Sequence, residues 1–156
     1  MTLSARSFAL ALAPALALTL STAACAQMDG ADHDMMSAMP LEADGPVVYI
    51  ANLHDGQVVS SPVRVMFGLS GMGVAPAGVD KENTGHHHLL IDTTEAPVGA
   101  PLPAIPGEVV HFGGGQTEAV IELPPGEHTL MLVLADLNHV PFDPSIQSEP
   151  ITITVQ

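Results

Sequence analysis

The sequence predicts an all-β sandwich of seven strands, preceded by an export signal and a linker, and three observations carry that prediction. From Val47 onward the chain breaks into short runs rich in β-branched residues. Gly and Pro, 14 of each in the chain, punctuate the gaps between those runs. No window sustains the period that would bury one face of a helix. At 156 residues the chain has room for one such domain and not comfortably two.

The expected strands are residues 47–52, 63–69, 87–92, 108–112, 118–123, 128–136 and 151–155. The segment LPPGEHTLMLVLAD resembles a corner of bacterial immunoglobulin-like modules: Pro124-Pro125-Gly126 turns the chain, and Thr129 to Ala135 runs through the core. The expectation for 47–156 is therefore an immunoglobulin-like sandwich. With 3% aromatic residues and no Trp, its core must come from Val, Ile, Leu, Met and Ala. Three connections are long, 70–85, 93–107 and 137–149, and long loops in a small domain are functional or mobile. The second holds Pro97, Pro101, Pro103 and Pro106, which make it stiff and extended.

Residues 1–26 read as an address. Arg6 supplies a positive start, FALALAPALALTL (8–20) is too short to span a bilayer, and small residues follow. Ala24-Cys25-Ala26 fits a signal-peptidase site. TAAC (22–25) also resembles a lipobox, in which Cys25 would be acylated, with Thr22 standing where that motif prefers Leu. Either way the expected location is the periplasm or cell envelope. Cys25 is the single cysteine, so no disulfide within the chain supports the fold.

Residues 27–46 show no apolar period and are expected to be a disordered linker. Met28, Met35, Met36 and Met39 gather there around His33. Thioethers are soft donors suited to Cu(I), and imidazole suits either copper state. Beyond residue 28 lie all 17 acids, against only Arg64 and Lys81. That balance repels phosphate backbones and excludes nucleic acid as a partner. It also serves solubility. Contact with a membrane is expected only through a lipid on Cys25.

In the expected topology the 70–85 loop with the histidines that follow it, the 111–115 turn and the 137–149 loop share one pole. His86, His87, His88, His111 and His139 should crowd there with Met72 and Asp136, while His54 and His128 fall at the other end. Alternation puts His87 on one face of its strand and His88 on the other, and both faces are apolar, so the sequence leaves open which is buried. One of the two should meet Asp136, which would fix its tautomer. Two readings follow. One is a metal site of imidazoles from different loops, for copper before zinc. The other is a His–Asp network that closes the end of the sandwich and orders its Gly-rich loops.

No nucleophile or phosphate motif is complete. Gly68-Leu69-Ser70-Gly71-Met72 lacks the last glycine of G-x-S-x-G, and Gly113-Gly114-Gly115-Gln116-Thr117 lacks the lysine of a phosphate loop. The expectation is a protein that is not an enzyme, with acid–base chemistry at the histidine pole as the weakest alternative.

The blocks GMGVAPAG (71–78), TGHHHLLID (84–92), HFGGGQTE (111–118), LPPGEHTL (123–130) and LADLNHVPFDPSIQSEPITITV (134–155) resemble an exported bacterial family known as domain of unknown function 4399. The likeness spans about residues 62–155. It implies that His86, His87, His88, His111, Gly113, Gly114, Gly115, His128, Asp136 and His139 belong to the family motif, and it carries no activity with it. The family pattern has H-x-P-H where this chain has His139-Val140-Pro141-Phe142, so Phe142 replaces a histidine. A further likeness, to copper-resistance sandwiches of the CopC type, is architectural only. The expected function is metal, foremost copper, binding by an envelope β module; the alternative is a non-metal module that engages an envelope partner.

Overall fold

Strand runs of alternating burial dominate the computed structural model, which describes residues 45–156. The signal segment with Cys25, and His33 and the methionines at 28, 35, 36 and 39, lie outside the described residues. The described residues are all-β, with no helix, and form two sheets.

Among the described residues nine strands occur rather than seven: β1 (Val47–Ile50), β2 (Gln57–Val59), β3 (Val63–Ser70), β4 (Gly73–Val74), β5 (Thr84–Ile91), β6 (Val109–His111), β7 (Glu118–Ile121), β8 (Gly126–Ala135) and β9 (Ile151–Val155). All seven expected runs contain a strand. The two additional ones, β2 and β4, are three and two residues long. Such stubs have no readable alternation; they exist because each pairs, in parallel, with an edge of β9 or β5. β5 starts at Thr84 because its first two residues are the ones that β4 pairs.

One sheet has the order β1-β3-β7. The other runs β2-β9-β8-β5-β4, with β6 also paired to β5. Alternation assigns the faces. Val48, Val63, Val65 and Phe67 of the smaller sheet meet Leu89, Ile91, Leu130, Leu132, Leu134, Ile153 and Val155 of the larger one, in a single buried cluster. On the solvent side of the smaller sheet Tyr49 lies opposite Gly68, and its ring covers the space that a Cβ there would need. Arg64 and Glu118 pair beside it on the surface.

The larger sheet is buried on its second face as well. Leu90, Met131, Val133 and Ala135 pack under the proline-rich segment 93–107, which contributes Ala96 and the buried Leu102. Strands covered on both sides read as continuous apolar runs, and LLI and LMLVLA do so. The 137–149 segment completes the edge of β8: the Leu134 amide donates to the Ile146 carbonyl, and the Ser148 amide to the Leu132 carbonyl.

At the far end of the same sheet His128 lies between two acceptors. Its Nδ1 donates to Asp92 Oδ2 at 2.8 Å and its Nε2 to the Pro124 carbonyl at 2.9 Å. With the carboxylate ionised both oxygens are acceptors, so the site favours the ring with hydrogen on both nitrogens. The bond to Asp92 raises its pKa above the ordinary 6.5, against the opposing effect of burial. A raised pKa contributes stability that is complete below about pH 6.5 and fades as pH rises through the folded value. Replacing Asp92 by Asn keeps the acceptor for the Thr129 amide, and Asn tolerates the left-handed φ of 57° found there. Asp92→Asn should lower the thermal midpoint by about 2–6 °C at pH 5.5. The deficit should shrink as pH rises above about 6.5, as followed by circular dichroism.

Candidate metal centre

Three successive histidines on β5 are all buried, yet they do not face the same way. Gly85, His87, Leu89 and Ile91 point between the sheets; His86, His88 and Leu90 point outward, beneath the proline-rich strap. The register then sets His86 against Ala135 and His88 against Val133 on β8, with His88 opposite His111 on β6. Small and β-branched neighbours on β8 leave room above them for the rings.

His139 reaches the same spot from the loop after β8. Its φ is 70°, a conformation uncommon for a residue with a side chain. Asp136 holds it there. Asp136 Oδ1 accepts from the amides of Asn138 (2.8 Å) and Val140 (2.9 Å), and the His139 amide donates to the Asp136 carbonyl. The His139 carbonyl in turn accepts from the Leu102 amide at 2.9 Å, which ties this loop to the strap.

The result is four imidazoles in one cluster. Ring centroids of His86 stand 4.8 Å from His88, 5.0 Å from His111 and 5.0 Å from His139; His111 and His139 are 4.6 Å apart. One nitrogen each of His86, His111 and His139 lies within 4.8 Å of the others. Three nitrogens on one ion, each about 2.1 Å from it, stand about 3.4 Å apart in a tetrahedral arrangement. Binding an ion would therefore require the three rings to draw together. His86 is 1% exposed and His88 2%, whereas His111 is open to solvent, so an ion here would be reached from the β6 side.

Burial first, and then the neighbouring rings, favour the neutral forms of His86, His88 and His111. Burial, and then repulsion by His111 and His139, lowers the pKa of His86 to about 4. His88 falls to about 3, again chiefly through burial, followed by the neighbouring rings. Burial also lowers His111. A neutral imidazole keeps one lone pair, the form that binds a metal. Both nitrogens of His86 and Nδ1 of His88 are buried with no hydrogen-bond partner. An unsatisfied buried polar atom costs roughly 1–3 kcal/mol, and a cation bound by His86 would satisfy the one of its two nitrogens that carries the lone pair.

Several sequence expectations are corrected. His87 is not part of the cluster. It points inward, its ring 5.2 Å from that of Phe67 and its Nδ1 3.3 Å from the Gln116 carbonyl, because alternation sends it to the opposite face from its two neighbours. Met72 is not part of it either: it packs against the main core. Asp136 bonds to backbone amides rather than to an imidazole, so it positions His139 by shaping a turn; it also favours the charged form of His86 from a distance. His86 and His88 share the outward face, but only His86 joins His111 and His139 in the group whose nitrogens approach one another. The contribution of Leu102 and of the strap had no signal beyond the prolines. Gly113 has a role the sequence did not specify: a Cβ there would lie 2.3 Å from the His111 ring, so the glycine leaves the space the ring occupies.

Below about pH 6.5 the unfolded chain takes up protons that the buried rings refuse until about pH 4 and 3. Stability of the metal-free protein should therefore fall on acidification through that window, by up to about 1.4 kcal/mol per pH unit for each ring. Urea unfolding after chelator treatment, between pH 7 and 4.5, measures the slope. His88→Leu should flatten it.

A family model described as Domain of unknown function (DUF4399) matches residues 65–156. No curated protein and no solved structure matches the chain.

Proposed function

The chain belongs to the DUF4399 family, and we propose that it is an exported metal-binding module whose ligands are His86, His111 and His139. The observation that carries this reading is the meeting, within 4.8 Å, of three imidazole nitrogens from a buried strand, an edge strand and a loop. His86 and His88 bury three nitrogens that lack a hydrogen-bond partner, a costly arrangement unless a lone pair among them is used.

Copper heads the order of metals. For imidazole donors, affinity among the divalent ions peaks at Cu²⁺, with Zn²⁺ below it. The methionines of residues 28–39 add a separate capture element for Cu(I). The protein serves as a binder, not an enzyme, and it works in the periplasm or cell envelope, held to a membrane if Cys25 is acylated. Its fold is immunoglobulin-like in this reading. The β1-β3-β7 and β9-β8-β5 pairings, with β6 beside β5, support that assignment.

The purified protein should take up one Cu(II) at the cluster in an isothermal titration. His111→Ala and His139→Ala should each weaken that binding about 100-fold or more. Met72→Leu should not change it. Gly113→Ala should weaken it about tenfold with little loss of thermal stability, since the added methyl displaces only a flexible ring. The competing reading, in which the rings only pack as an edge-to-face cap on the sheet, draws on the T-shaped contacts of His86 and His111 with His139. It requires the same alanine variants to shift the melting temperature and the protein to bind no metal.

A further inference from the structure

Beside the cluster, on the outer face of the larger sheet, lies a cleft of about 280 Å³. Three imidazoles, His88, His111 and His139, form one wall. The other is apolar: Pro101, Leu102, Pro103, Ala104 and Val109. No charged side chain lines it. The strap that forms the apolar wall is fixed to the metal loop by the bond between the Leu102 amide and the His139 carbonyl, so the cleft has a defined width.

Resting on the metal reading above, we infer that the ion held by His86, His111 and His139 keeps a coordination position open to this cleft, and that the cleft takes a neutral ligand with one donor atom and an apolar body. Three protein donors leave a four-coordinate ion one place short. Two of the three, His111 and His139, belong to the cleft wall, so the ion borders the cleft. His86 does not line it, which puts that ligand on the buried side of the ion. The volume exceeds what a single water needs, about 30 Å³, so a ligand with several heavy atoms fits. Apolar, uncharged walls favour a ligand whose remainder is hydrophobic and disfavour polyanionic chelators, which the acidic chain also repels. His88 completes the picture as a wall residue rather than a fourth ligand: it lies outside the group of three and contributes a ring with an unpartnered Nδ1.

The test uses the purified protein loaded with Cu(II), or with Co(II) as a spectroscopic substitute for zinc, and 4-methylimidazole as the probe. Expected is a saturable change in the visible and electron paramagnetic resonance spectra, with the metal retained. Ala104→Trp places a bulky ring on the exposed rim of the cleft. That variant should bind metal as the parent does and lose at least tenfold in affinity for 4-methylimidazole. Failure of the protein to take up metal would show before any probe is added and would overturn both readings. Metal uptake without a spectral response, a response that Ala104→Trp leaves unchanged, or stripping of the metal by the probe would each overturn the open-position inference and leave the metal site standing.

Discussion

Burial of β5 on both of its faces is the constraint on which the rest of this structure depends. Its eight residues lie between the core shared by the two sheets and the strap that covers the outer face. Along a strand the side chains alternate, so three histidines in a row must divide. His87 goes into the hydrocarbon interior beside Phe67, where Nε2 finds no partner. His86 and His88 go under the strap, where they meet rings from β6 and from the loop after β8. Were either face open to water, these rings would be solvated, ordinary histidines.

The same burial makes the cluster chemically distinct from the other end of the sheet. His128, paired with Asp92 and the Pro124 carbonyl, has its charged form favoured and its pKa raised. His86 and His88, surrounded by apolar atoms and by one another, are held neutral. One sheet therefore carries histidines pushed in opposite directions, by a carboxylate in one case and by desolvation in the other. Neutral imidazoles can offer lone pairs to a cation; a ring hydrogen-bonded through both nitrogens, as His128 is, offers none. This contrast supports assigning binding to one end and a structural role to the other.

Much of the fold was legible. Each long run of β-branched and aliphatic residues contains a strand, because period-2 patterns and Gly/Pro punctuation act locally. β2 and β4 were not legible, since a three-residue or two-residue strand exists only where a neighbour offers its edge. The gathering of His86, His88, His111 and His139 at one end was readable in outline from the order of strands and loops. The exclusion of His87 was not: both faces of its strand are apolar, so the sequence carries no mark of which is inward. Asp136 could be singled out as important, yet its work on the amides of Asn138 and Val140 depends on a loop conformation that no residue pattern specifies.

By itself, the sequence determined the class of fold, the approximate strand positions, the acidic surface and the identity of the residues available as donors, because each follows from local preference or composition. The tertiary structure decided which donors meet. That outcome depends on the register of β5 against β6 and β8, on the left-handed turn at His139 and on a strap fixed by a single backbone bond from Leu102. These are distances between residues up to 53 positions apart in the chain, from His86 to His139, and only packing brings such residues together.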